Sequence, residues 1–217
     1  MRFPLAAIFL CAVSVQDAPP RDAGPHRAPD LVELQALDPT IKLDIRYATT
    51  NNLTGRAVYT EARAFLQRPA AEALVRVHHS LAPTGLGLVV FDGYRPWRVT
   101  KLFWQVTRPS LHEFVADPAT GSNHNRGCAV DLSLYDLASG ESVDMPSDYD
   151  EMSPRAYSNY DGGTAQARAR RDLLRAAMQR EAFAAEPKEW WHFNYKDWNE
   201  YPILDIPFTE IPLQPAR

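Results

Sequence analysis

The stretch 122-SNHNRGCAVDLSLYD-136 decides how this chain is read. From Ala129 to Tyr135 apolar and polar residues alternate, which puts Val130, Leu132 and Leu134 on one face of a predicted strand and Asp131, Ser133 and Tyr135 on the other. The apolar face belongs in a core. The entry to the strand is different: His124 and Asp131 flank Gly127, a residue that permits a turn able to bring the imidazole back beside the carboxylate. Such a pair either fixes its own orientation by a hydrogen bond or supplies half of a metal site. One strand does not separate these readings.

Working outward, 86-LGLVVF-91 is a short apolar run bounded by Gly and Pro, a buried strand ending in the tight turn 92-DGYRP-96. Upstream, Ile41, Leu43 and Ile45 alternate in a predicted strand that runs into Asn-Asn and Gly turn chemistry. Between them, 60-TEARAFLQRPAAEALVRVHHSLAPTG-85 has helical spacing, as one helix or as two split at Pro69, with His78 and His79 in a last turn where imidazole suits the helix dipole. Val99, Leu102, Phe103 and Val106 mark another helix, and residues 108–123 read as loop. After Tyr135, Ser139-Gly140 between alternating residues signals a hairpin. The segment 164–183, rich in Ala, Leu, Arg and Gln without Gly or Pro, is a helix whose arginines read as its solvated face. It leads to the aromatic stretch 186-EPKEWWHFNY-195, read as a strand, and a proline-rich irregular tail. Strands and helices in this uneven order, with hairpin signals, point to an α+β domain with a central antiparallel sheet flanked by helices.

The 217 residues suffice for one domain with its own core. With 45% hydrophobic and 23% charged residues, a net charge of -4 and no later apolar run long enough to span a bilayer, the composition argues against a nucleic-acid surface and against stable membrane insertion. Residues 1–15, one basic residue followed by a short apolar stretch, have the shape of a secretory leader, so export to a periplasmic or extracellular compartment is expected, or a cytoplasmic location if the leader does not function. A lipid anchor at Cys11 is disfavoured by the bulky Leu10 before it. Residues 16–30 read as a flexible lead-in and 31–217 as the single domain. Removal of the leader leaves Cys128 alone, so no intrachain disulfide can staple the domain.

In 189-EWWHFNY-195, Glu189 and His192 sit among bulky aromatics, where an unpartnered carboxylate would cost several kcal/mol, on the order of the penalty for any buried polar group left unpaired. Taken with the opening stretch, His124, Asp131 and His192 make three N/O ligands with a fourth position open to water, the pattern of one catalytic zinc ion, and Glu189 is left as general base. Arg95, presented from a stiff turn before Pro96, is either a fixed cation for a developing oxyanion or a structural partner of Asp92.

At these residues the chain resembles the zinc D-Ala-D-Ala peptidases, specifically the VanX-type D-alanyl-D-alanine dipeptidases. Their S-x-H-x-x-G-x-A-x-D pattern is met by Ser122, His124, Gly127, Ala129 and Asp131, their E-W-W-H by Glu189 to His192, and their D-G-Y-R-P by Asp92 to Pro96. The stretch 44-DIRYATTNNLTG-55, with Tyr59 just beyond, resembles the family's N-terminal part, and the likeness runs from about Leu31 to about Pro207. The resemblance implies zinc on His124, Asp131 and His192, Glu189 as base, Arg95 as transition-state stabiliser, and a small D-amino-acid dipeptide as substrate. It also implies dipeptide contacts by Ser122 and Tyr59, and by Asp150, placed to meet the substrate's ammonium. Cys128 stands where the family has a small Ser and is expected to pack as a small hydrophobe. Two rival functions stay open: a D,D-carboxypeptidase or endopeptidase using the same chemistry on longer wall peptides, and a zinc-stabilised binding module without turnover.

Overall fold

The structure is a computed structural model and describes residues 18–212; the predicted leader lies outside them. In chain order the elements are β1 (Leu31–Glu33), α1 (Leu34–Leu37), β2 (Lys42–Leu43), β3 (Phe65–Gln67), α2 (Arg68–Leu81), β4 (Leu86–Asp92), α3 (Trp97–Val106), β5 (Ala129–Asp136), α4 (Ala165–Arg180), β6 (Phe183–Glu186) and β7 (Glu189–Tyr195). Five strands form a central sheet in the order β2-β4-β5-β7-β6, antiparallel except for the parallel edge pair β2 and β4. A separate antiparallel pair joins β1 to β3. The α+β expectation holds, with that one parallel edge added.

Alternation sorts the sheet's two faces as the sequence predicted. Val130, Leu132 and Leu134 of β5 join Leu88 and Val90 of β4 in the main core, against Leu74 and Val77 of α2 and Leu174, Ala177 and Met178 of α4. The opposite face carries a smaller cluster of Val89, Phe91 and Tyr135, covered by Tyr149, and it is on this face that Asp131 points.

Several elements differ from their predicted form. Phe65–Gln67 is a strand, because its partner 31–33, far away in sequence, satisfies its backbone groups; α2 then starts at Arg68 with Pro69 in its first turn, where the missing N–H costs nothing. The strand predicted around Ile41–Ile45 shrinks to two residues followed by a single turn, 46–48. After β5, the Asp136 carboxylate accepts the N–H groups of Ala138 and Ser139, and the hairpin is reduced to one bridge between Tyr135 and Ser142. The end of the predicted last helix is strand β6. The α4 arginines are not simply a solvated face: Arg171 is buried, and Arg168, Arg171 and Arg175 donate to the carbonyls of Gly163, Tyr160 and Ser158 and tack the loop before the helix onto it.

Through residue 212 the C-terminal tail forms no strand but buries Tyr201, Phe208 and Ile211, and Leu204 donates to the Asn125 carbonyl while accepting from the Trp97 N–H. Within the lead-in, Asp22 pairs with Arg126 at 2.6 Å and the Arg27 N–H donates to the Glu200 carbonyl.

Because Leu132 is fully buried at the centre of the sheet, Leu132→Ala is expected to lower unfolding free energy by about 2–5 kcal/mol, the usual cost of such a cavity. Urea denaturation of the two proteins measures it.

Candidate metal centre and active site

Pairing across the sheet assembles the site. In the antiparallel register of β5 and β7, Asp131 lies directly opposite His192, so their side chains leave the same face as neighbours. On the other side Asp131 is paired with Asp92 of β4, just past a register shift that re-aims the end of that strand. Glu189 and His192 are three residues apart and would fall on opposite faces of a regular strand. They do not, because Ala185 of β6 pairs with Phe193 while the next residue, Glu186, pairs with Glu189, leaving Trp190–His192 as an outward bulge of β7. Glu189 Oε2 comes within 3.5 Å of His192 Nδ1.

His124 arrives by the turn its sequence allowed. Residues 123–126 form one helical turn in which Ser122 Oγ accepts the His124 N–H and Asn125 Oδ1 accepts the Ser122 N–H. Gly127 closes the turn at φ 69°, and a Cβ there would stand 2.5 Å from Leu31, so no other residue fits without movement. The turn is stitched to the loop after β4. The Arg95 N–H donates to the His124 carbonyl, and Asn125 Nδ2 donates to the Arg95 carbonyl and to Thr100 Oγ1. Gly93 lets that loop approach β3, since a Cβ would meet the Phe65 carbonyl at 2.6 Å.

The three ligand atoms form a tight triangle: His124 Nε2 to Asp131 Oδ1 3.2 Å, His192 Nδ1 to Asp131 Oδ1 3.0 Å, and His124 Nε2 to His192 Nδ1 3.1 Å. Each ring's other nitrogen faces an acceptor: His124 Nδ1 donates to the Gly93 carbonyl at 2.7 Å and His192 Nε2 to Asn194 Oδ1 at 2.9 Å. In the neutral rings the lone pairs are therefore left on the two atoms that face each other and the carboxylate. Asp131 Oδ1 is buried and accepts no hydrogen bond. With both rings neutral, three lone pairs converge with no donor among them and call for a cation between; without a metal a proton takes that place, and His192, lowered by burial but raised more strongly by Asp131, is pushed up to about 9. These residues therefore fit a metal ion, with the outer hydrogen bonds that orient metal-bound imidazoles already in place. Among the described residues no other group of three metal-binding side chains comes together, and His78 and His79 are occupied structurally, by the Leu88 N–H and Thr40 hydroxyl and by Asp38.

Arg95 is buried and doubly engaged. Its Nε and Nη2 meet Asp92 Oδ2 at 2.9 and 2.8 Å, Nη2 lies 3.6 Å from Asp131 Oδ2, and the guanidinium rests over the rings of Phe103 and Tyr47. Pairing with Asp92 and presentation to the site are one arrangement, because the pair fixes the cation at the cavity wall.

Burial and the clustering of acids set the electrostatics. In the metal-free site burial would raise the Asp131 carboxyl, but positive charge and N–H donation from His124 and His192 outweigh it and hold it well below the usual range, the part a metal cation takes when the rings are neutral. Glu189 is pushed up to about 8, first by burial and then by Asp131 and Asp150, with His192 opposing. Asp150 is pushed up to about 7 by burial and by Asp131, against the Tyr47 hydroxyl that donates to it at 2.9 Å. Its backbone is left-handed at φ 61°, a conformation costing an L-residue about 1–2 kcal/mol and concentrated at functional positions.

A cavity of about 290 Å³ opens in front of the triangle, lined by Arg95, Ser122, Asp150, Glu189 and Trp191 among others. Ser122 and Asp150 both line this cavity. Tyr59 does not: it is buried behind the Asp92–Arg95 pair, its hydroxyl donating to Asp92 Oδ1 at 2.8 Å and its ring against Tyr47 and Phe208. The tyrosine at the cavity is Tyr47, inside the same quoted stretch, and Tyr149, 3.0 Å from Asp131 Oδ2, supports the metal-facing carboxylate. Neither was singled out in the sequence, where they read as ordinary aromatics. Cys128 is buried in the core with its thiol pushed up to about 12, first by burial, and it does not line the cavity.

Comparison with known proteins identifies the family. The model of the D-ala-D-ala dipeptidase family matches residues 27–212, and the chain belongs to that family. It is 35% identical over 180 residues to the D-alanyl-D-alanine dipeptidase of Escherichia coli strain K12, covering 83% of this chain and 92% of that one. It is 34% identical over 187 residues to the D-alanyl-D-alanine dipeptidase of Enterococcus faecium, covering 77% and 92%. Among solved structures, the LdcB LD-carboxypeptidase superposes with a TM-score of 0.47 at 17% identity, over 80% of this chain and 72% of that one. The chain is a peptidase.

The raised Asp150 sets a pH test. A carboxyl whose folded pKa lies above its unfolded one contributes stability that is full below the unfolded value and lost as pH rises through the folded value, here about 7. In metal-free protein, Asp150→Asn is expected to raise the melting temperature at pH 8 relative to the parent and to have little effect at pH 4, read by thermal denaturation across pH.

Proposed function

We propose that this protein hydrolyses the D-alanyl-D-alanine dipeptide to two D-alanines, using one zinc ion held by His124, Asp131 and His192. The observation that carries this reading is the triangle of bare ligand atoms around the unpartnered Asp131 oxygen, with Glu189 3.5 Å from one corner. Zinc bound there supplies Lewis acidity, lowering the pKa of water and polarising the scissile carbonyl. Glu189 is the general base. Burial and the neighbouring Asp131 and Asp150 raise its proton affinity in the metal-free site, and a cation on the three ligands would lower it again toward the range in which a carboxylate takes a proton from water and returns it to the leaving amine. Arg95, locked by Asp92 and stacked on Phe103, offers a fixed positive charge to the oxygen that becomes negative, and needs no rearrangement to do so.

Asp150, steadied by Tyr47, suits the substrate's ammonium. The cavity, at the small end of the ~300–1,000 Å³ usual for ligand sites, suits a dipeptide better than a wall peptide. A leader in residues 1–15 would put this reaction outside the cytoplasm.

Zinc-loaded protein is expected to release D-alanine from free D-Ala-D-Ala much faster than from a pentapeptide ending in the same two residues. Glu189→Ala is expected to keep one zinc per chain by metal analysis while kcat falls about 10²–10⁴-fold. Undiminished turnover in that variant would remove Glu189 as the base, and a preference for the pentapeptide would favour a carboxypeptidase.

A further inference from the structure

The cavity has two rims, each anchored to a different part of the fold, and one exposed ion pair joins them. The first is the turn Pro109–Phe114 after α3. It is pinned inward by His112, whose ring stacks on Trp104 at 3.7 Å and whose Nε2 lies 3.0 Å from the Thr107 carbonyl. Glu113, Phe114, Val115 and Ala116 of this rim line the cavity. The second is the turn between β6 and β7. The Pro187 carbonyl accepts the Ser158 N–H at 3.0 Å, and the Ser158 carbonyl in turn accepts from Arg175 of α4 at 2.9 Å. Lys188 of this rim lines the cavity next to the Glu189 base.

Lys188 Nζ meets Glu113 Oε2 at 2.7 Å, with side chains 43% and 48% exposed. Both residues line the cavity and both reach solvent, so the pair stands at its mouth rather than at its floor. Neither takes part in the hydrogen bonds that orient the metal ligands.

Resting on the dipeptidase reading, we propose that Glu113 and Lys188 form a clasp that selects substrate length: a free dipeptide is enclosed with the clasp shut, and a longer peptide must part it. The residues act on specificity, not on the reacting atoms. In this proposal the extra residues of a longer peptide pass between the two rims that the pair joins, so its complex forfeits the ion pair and the dipeptide complex keeps it. The free energy of the pair therefore enters the ratio of the two kcat/KM values directly. An exposed pair of this kind is weak, which lets the mouth open at each turnover and bounds the discrimination it can supply.

The test is the ratio of kcat/KM for a pentapeptide ending in D-Ala-D-Ala to that for free D-Ala-D-Ala, in zinc-loaded full-length protein. Glu113→Gln and Lys188→Met are each expected to raise that ratio about two- to five-fold, the span an exposed ion pair supports. The charge-reversed double variant Glu113→Lys with Lys188→Glu rebuilds the pair and is expected to return the ratio to the parent value. Raising ionic strength from about 0.01 M to about 1 M shortens screening from ~30 to ~3 Å and should raise the ratio in the parent but not in Lys188→Met. Single variants with an unchanged ratio, or a double variant that stays with the singles, would overturn the clasp while leaving the dipeptidase reading intact. A parent protein inactive on free D-Ala-D-Ala would overturn both.

Discussion

The antiparallel pairing of β5 with β7 is the constraint on which the rest depends. It sets Asp131 against His192, and with that register fixed only a turn is needed to bring His124 to the third corner. A one-residue slip would send Asp131 into the main core and Val130 or Leu132 into the cavity, since side chains alternate with period two. The register is defended by what lies beneath it. Val130, Leu132 and Leu134 fill the space between the sheet and α2 and α4, and no slipped arrangement buries them all. The site's precision is thus a by-product of core packing on the other face of the same strand.

That face also explains why so many charges are tolerated in the interior. Asp92, Arg95 and Asp131 are all buried, and isolated charges there would be costly. Each is instead surrounded: Asp92 by Arg95, the Tyr59 hydroxyl and the Gly93 N–H, and Asp131 by the two imidazoles, the Tyr149 hydroxyl and the Arg95 guanidinium. The one atom left out is Asp131 Oδ1. A network this complete with a single gap, at the point where two imidazole lone pairs also converge, is organised around a positive charge at the gap.

Much of the site was legible in the sequence because its chemistry is carried by residue types with few bland uses in a buried setting. A histidine, a glycine and an aspartate at a strand entry, and a glutamate and a histidine among tryptophans, have little reason to be buried unless they meet. What was not legible depended on distant partners. Phe65–Gln67 had helical spacing nearby and became a strand because 31–33 lies alongside, and Pro69, read as lying within one helix or splitting two, opens the helix. β6 escaped notice because its four residues continue the helical composition before them. Tyr47 and Tyr59 look alike in sequence, and only the path of the chain around Asp92 decides which faces the cavity and which supports the pair from behind. The bulge that places Glu189 beside His192 is likewise a property of two strands, invisible in either.

The proposed metal centre requires His124 Nε2, Asp131 Oδ1 and His192 Nδ1 to share one metal ion. Crystals of the protein grown with zinc, measured on both sides of the zinc absorption edge, test it directly. A single strong anomalous peak is expected, bonded to those three atoms at about 2.0–2.2 Å, with the outer contacts to Gly93 and Asn194 retained. No peak there at saturating zinc, or zinc bound elsewhere while the three atoms remain in mutual contact, would contradict it.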